Sequence, residues 1–144
     1  LAVNGSQLQL LRPGGIPVEV IEAATGKVVD RPAPPAGSAA VIAPGMLASH
    51  YAPNARVRLN ASEVLPGEAL IKFGALPVEG EDQAKTVMDL SPAGDLREAA
   101  ANLFDMLKQA DASAPRGIAV AAVPEHGLGE AIKDRLNRAA APRD

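Results

Sequence analysis

The sequence predicts an α/β fold: a small, mostly parallel sheet with flanking helices, preceded by a hairpin, a short helix and a long proline-rich linker. Three observations carry that expectation. Residues 56–144 alternate between strand and helix signals. Ile118-Ala119-Val120-Ala121-Ala122-Val123 is an unbroken apolar run, as expected of a strand covered on both faces. Five prolines fall between Pro32 and Pro53, where the loss of backbone donors disfavours helix and leaves an extended connector.

Each element has its own local reason. Asn4-Gly5 is a hairpin signal, because a type I′ turn needs positive φ at both central residues. Leu1 and Val3 flank it on one side, and Leu8 and Leu10 alternate with Gln7 and Gln9 on the other. Pro17 suits the first position of a helix, Glu19 and Glu22 favour its positive end, and Gly26 suits its C-cap. A hairpin and a two-turn helix cannot bury a core unaided, so residues 1–26 are expected to belong to a larger domain or to pack on the rest of the chain. Residues 27–55 form the linker. Beyond it, Arg56 to Leu59 is a short strand, and Ala61 to Leu65 a short helix capped by Asn60. Ala69 to Phe73, ended by Gly74, is a second strand, and Thr86 to Leu90 a third. Asp95 and Glu98 have capping-box spacing, and Leu96, Ala100, Leu103 and Leu107 recur at helical spacing behind them. Ala114 to Gly117 breaks that helix before the apolar run. Leu128, Ala131, Ile132, Leu136 and Ala139 mark a final helix.

The 144-residue chain is 47% apolar and 22% charged, a globular balance. Its 14 basic and 17 acidic side chains leave a net charge of -3, which argues against a nucleic-acid grip spread over the whole surface. The absence of cysteine excludes disulfides, thiolate zinc sites and a cysteine nucleophile, and it suits a reducing, cytoplasmic setting. Two histidines, His50 and His126, are too few for a three-histidine metal site within one chain. No apolar run approaches the roughly 20 residues of a membrane helix, so no membrane contact is expected. Tyr51, Phe73 and Phe104 are the only aromatics, so the core must be aliphatic. The chain begins with Leu1 and is expected to come from a longer protein.

Several groups invite a chemical reading. Gly127-Leu128-Gly129 follows a strand and opens a helix, where a phosphate loop would sit; but Ile132 occupies the third glycine position of G-x-G-x-x-G, which favours a plain turn. His126 has no nucleophile or orienting carboxylate at a supporting spacing, and reads as a surface loop histidine. Glu79, Glu81 and Asp82 could form a loose magnesium site, though a solvated loop is the simpler reading. Arg12 lies in a turn after a strand, and its guanidinium fork suits phosphate as well as solvent. Tyr51 could cover a base, or pin the linker against a domain.

Three segments together resemble one family. Leu11-Arg12-Pro13-Gly14-Gly15-Ile16 resembles the closing segment of the catalytic domain of long-form threonylcarbamoyl-AMP synthases. Ala43 through Pro53 resembles their signature linker, P-G-M-x-x-x-H-Y-x-P. Asp95 through Leu107, and Gly127 through Leu136, resemble two helices of their accessory C-terminal domain. The resemblance implies a remnant of the catalytic domain at residues 1–26, the linker at 27–55 and an accessory Rossmann-like domain at 56–144.

The family makes threonylcarbamoyl-AMP and pyrophosphate from threonine, bicarbonate and ATP, for threonylcarbamoyladenosine in tRNA. By that likeness the linker is a lid over the catalytic cleft. Arg12 would contact the nucleotide phosphates, and Tyr51 would face the nucleotide with His50 beside it. The family's S-x-N motif is absent here, and the one K-x-R, Lys133-Asp134-Arg135, lies in the final helix, where it reads as a solvated face. The resemblance therefore implies a fragment inactive alone, holding no catalytic residue and no metal site and binding no cofactor by itself. ATP and magnesium belong to the intact enzyme. Its partners would be its own missing catalytic domain and downstream tRNA-modifying proteins. The alternative is a non-catalytic module that binds a nucleotide or a protein.

Overall fold

A computed structural model describes residues 1–31 and 53–141. The first stretch forms a small unit. Strands β1 (Ala2–Asn4) and β2 (Gln7–Gln9) pair antiparallel, with Asn4 opposite Gln7. The two turn residues are therefore Gly5 and Ser6, one position later than the Asn-Gly signal suggests. Gly5 has φ of 62° and Ser6 is not in the positive-φ region, the sign pattern of a type II′ turn rather than type I′. Helix α1 (Val18–Thr25) starts after Pro17, which takes the N-cap, and ends at Gly26, whose amide donates to the Glu22 carbonyl. The next strand is one that the sequence pattern does not predict: β3 (Val29–Asp30) pairs parallel to β2. The Glu22 carboxylate accepts the Val29 amide and ties β3 to α1. Leu8, Val18 and Val29 are the buried centre of this unit.

Residues 53–141 carry the α/β architecture expected. Strands β4 (Val57–Arg58), β5 (Ala69–Lys72), β6 (Thr86–Asp89) and β7 (Ile118–Val120) form one sheet in the order β4-β7-β5-β6. Every pairing in it is parallel. Parallel neighbours need long crossovers, and α2 (Leu96–Ala112) supplies the one from β6 back across β5 to β7. Helix α3 (Leu128–Ala139) comes after β7.

Side-chain alternation divides the core. Val57, Ala69, Ile71, Ile118 and Val120 pack against Leu103, Leu107, Ile132 and Leu136 of α2 and α3, so both helices cover one face. Leu70 and Ala119 point the other way, onto Ala61, Val64, Val78 and Ala84. Loops, not helices, close that second face. The helix expected at 61–65 does not form. Asn60 adopts φ of 52°, Ala61 donates its amide to the Val120 carbonyl, and Glu63 makes an isolated bridge with Glu79. The segment spends its backbone on the sheet instead of on itself.

The cap of α2 forms only half of the expected box. The Asp95 carboxylate accepts the Arg97 amide, but the Asp95 amide donates to Ser91 Oγ rather than to Glu98. Ser91 is fully buried and Asp89 accepts its amide, so the β6–α2 turn is internally satisfied.

Candidate functional site

The junction between the small unit and α3 gathers most of the chemistry. Glu19 of α1 accepts the Gly127 amide at 3.3 Å. Hydrogen bonds from its own backbone amide and from Gly127 hold the Glu19 carboxyl below its ordinary 4.5. Arg31, just after β3, donates to Glu130 at 2.9 Å, and that bond raises the Arg31 pKa. Arg12, in the turn after β2, stands 3.8 Å from the Asp134 carboxylate. Positions 127, 130 and 134 fall on one face of a helix, because a turn takes 3.6 residues. The small unit thus meets α3 along a polar seam.

Asp134 also meets Arg138 at 2.9 Å, one turn further along. That approach lacks hydrogen-bond alignment: Asp134 Oδ2 and Arg138 Nη1 are both buried without a hydrogen-bond partner. Beside them lies a cavity of about 250 Å³ bordered by Arg12, Arg135 and Arg138 on its polar side and by Leu103, Phe104, Leu107 and Ala139 on its apolar side.

The glycine loop has a structural explanation. Gly127 adopts φ of 58° and ψ of -131°, which a side chain would strain. A Cβ on Gly129 would lie 1.7 Å from the Pro124 carbonyl oxygen, so only glycine lets α3 start this close to the preceding loop. The positive end of α3 receives a carboxylate from the same chain, that of Glu19. Between the ends of β4 and β7, beside α3, the space is about 20 Å³, enough for a water and no more.

Of the candidates named from the sequence, Arg12 sits at the seam. His50 and Tyr51 lie outside the described residues. His126 is exposed, and its carbonyl accepts the Gly129 amide. Glu81 accepts from Lys72 at 2.9 Å and from the Val78 amide, and these two bonds lower its pKa; it braces a loop. Among the described residues no group of three or more His, Asp or Glu could hold a metal ion, and no helix is long and apolar enough to cross a membrane.

Lys133-Asp134-Arg135 is not merely a solvated face. Lys133 pairs with Glu125, Asp134 serves the seam, and Arg135 borders the cavity. Sequence reasoning missed the roles of Glu19, Arg31, Glu130, Arg135 and Arg138. The available signal was the spacing of Glu130, Asp134 and Arg138, four residues apart, which aligns charges on one helix face.

The comparisons with known proteins agree with this architecture. Residues 16–141 match the family model described as the threonylcarbamoyl-AMP synthase C-terminal domain. A curated threonylcarbamoyl-AMP synthase from Pyrococcus abyssi is 35% identical over 147 aligned positions, covering 93% of this chain and 42% of the relative. One from Bacillus subtilis is 34% identical over 146, again covering 93% and 42%. The chain thus spans about two fifths of the length of these relatives. The crystal structure of P. abyssi Sua5 complexed with L-threonine superposes with a TM-score of 0.71 at 30% identity, over 92% of this chain and 42% of that one. A variant of the same protein, with a histidine and the tyrosine after it both replaced by alanine, superposes at 0.68 and 29% identity, over 92% and 41%. With the family model matching most of its length, this chain belongs to the threonylcarbamoyl-AMP synthase C-terminal domain family.

Proposed function

We propose that this chain is the C-terminal part of an L-threonylcarbamoyladenylate synthase. Residues 1–26 would close the catalytic domain, 27–55 would be the linker and 56–144 the accessory domain. The parent enzyme would convert threonine, bicarbonate and ATP to threonylcarbamoyl-AMP and pyrophosphate, a nucleotidyl transfer that serves threonylcarbamoyladenosine formation in tRNA. Magnesium would accompany ATP on the catalytic domain. The setting would be cytoplasmic, with tRNA-modifying proteins downstream.

The observation that carries this reading is the family match over residues 16–141, joined to a first unit that does not close on itself. Leu1, Val3, Ile16, Val20 and Val28 are exposed there, and β1 is an edge strand of its three-stranded sheet. Such a surface suits burial against the rest of a catalytic domain.

His50-Tyr51 is the one His-Tyr pair in the sequence. A neighbouring His-Tyr pair is also what the P. abyssi variant replaces. In the proposed enzyme the linker would close over the cleft, exclude water and protect a labile adenylate. Arg12 would take the nucleotide phosphates, and Tyr51, with His50 beside it, would face the nucleotide.

Joining an upstream catalytic domain to this chain is expected to give pyrophosphate release that depends on both ATP and threonine. Arg12→Ala and Tyr51→Ala should each lower its turnover by roughly tenfold or more, the scale of one lost charge-assisted contact. Equal turnover in both variants would remove the site assignment. No release at all would favour a non-catalytic nucleotide- or protein-binding module.

A further inference from the structure

From the seam we infer that Asp134 of α3 is a positioning residue for the nucleotide site: it holds Arg12 from behind and leaves the tip of the guanidinium for phosphate. This rests on the proposed enzyme reading, in which Arg12 takes the nucleotide phosphates, and it adds that the accessory domain supplies part of that grip.

The turn that carries Arg12 does little to place it. Residues 11–16, between β2 and α1, make no backbone–backbone hydrogen bond among the described residues. A Cβ on Gly14 or Gly15 would meet nothing within 4 Å, so no other element braces the turn at those positions. An arginine on such a turn keeps much rotamer freedom, which phosphate binding must remove. Among the described residues, Asp134 is the one carboxylate within ion-pair distance of Arg12.

Asp134, by contrast, stands on fixed ground. Ile132 and Leu136, on either side of it, are buried in the main core and lock that turn of α3. Arg138 stands 2.9 Å from Asp134 Oδ2 and anchors the carboxylate to its own helix. The same oxygen is buried and accepts no hydrogen bond, so it remains open as an acceptor at the seam. Arg12 approaches it through Nε at 3.8 Å, and a shift of about 1 Å would close the bond.

This approach separates two roles on one side chain. A guanidinium carries donors on more than one edge. With Nε turned to Asp134, the two terminal nitrogens keep their N–H groups for an oxyanion, and they hydrogen-bond to no acceptor among the described residues. Carboxylate and phosphate would therefore share Arg12 rather than compete for it. An Arg12 ordered before the nucleotide arrives loses less freedom on binding.

Steady-state pyrophosphate release by the protein joined to its upstream catalytic domain, over a range of ATP and threonine concentrations, tests the assignment. Asp134→Asn should lower kcat/KM for ATP about tenfold and leave KM for threonine unchanged. Asp134→Glu keeps the charge and should recover most of that loss. In an Arg12→Ala background, Asp134→Asn should change the rate by less than about twofold, because the two residues act as one unit. Thermal melts check that each variant folds. If Asp134→Asn does not fold, Arg12→Lys carries the test and leaves the α3 pair intact. One ammonium lacks the separate edges, so it should lose about tenfold, and full activity would overturn the assignment. An equal loss from Asp134→Asn with and without Arg12 would make Asp134 structural only and overturn it. A gain in kcat/KM would show Asp134 competing with phosphate and overturn it too. Unchanged kinetics in an active protein would remove this assignment alone, whereas no release from the unsubstituted protein would remove the enzyme reading beneath it.

Discussion

The two described units handle their apolar side chains in opposite ways. In residues 53–141, Leu70, Ile71, Leu90, Leu103, Ile118 and Ile132 are fully buried, and both faces of the sheet are covered. In residues 1–31 only Leu8, Val18 and Val29 are buried, while Val28 is 83% and Val3 65% exposed. The first of these regions closes its own core. The second is held by a three-stranded patch, one short helix and a polar seam. A segment can thus have regular secondary structure and still lack the buried area that would stabilise it alone.

The largest effect should separate the two cores. Leu103→Ala removes a fully buried side chain between sheet and helices, and should cost about 2–5 kcal/mol in denaturant unfolding. Val18→Ala, in the thin core, should instead lower hydrogen-exchange protection in residues 1–31 and leave the main unfolding midpoint nearly unchanged. A common loss of midpoint in both variants would mean that the two units unfold as one.

An intermediate effect concerns acid. Glu68 is buried, accepts from Arg58 at 2.7 Å and from the Leu65 amide, and these bonds keep its carboxyl below the ordinary 4.5. A depressed carboxyl stabilises the fold fully above its unfolded value, and that contribution fades as pH falls through its folded value. Unfolding of residues 53–141 should therefore become easier as pH drops below 4.5. Glu68→Gln should lose about 1 kcal/mol at neutral pH and show a flatter profile below that point. A parallel profile in the variant would assign the acid sensitivity elsewhere.

The smallest effect tests the seam. Arg31 is about half exposed, so Arg31→Ala should cost at most about 1 kcal/mol, less in high salt. Its clearest reading would be faster exchange of the β3 amides, with α2 and β7 unaffected. Unchanged exchange in β3 would mean that the Arg31–Glu130 pair does not hold the small unit in place.

Much of this was legible before the structure, and the failures have physical causes. The Asp95 cap, the α2 and α3 apolar stripes and the β7 run arise from near neighbours. The helix expected at 61–65 does not form because the Ala61 amide finds its acceptor on β7, a partner that local spacing cannot show. β3 has no signature in the sequence because two residues carry no periodicity; it exists because β2 lies beside it. Arg12 could be named as a phosphate candidate from its chemistry, but nothing near it in the chain points to Asp134.

By itself, the sequence determined the α/β class, the helix faces, the Asp95 N-cap and the Gly26 C-cap, since these depend on residues a few positions apart. The tertiary structure alone decided that α2 and α3 share one face of the sheet, that loops close the other, and that Glu19, Arg31 and Arg12 align on α3. The physical reason is separation along the chain: Arg31 and Glu130 are 99 residues apart, and Glu19 and Gly127 are 108. Charges that far apart leave no pattern in either neighbourhood until folding brings them within a hydrogen bond of each other.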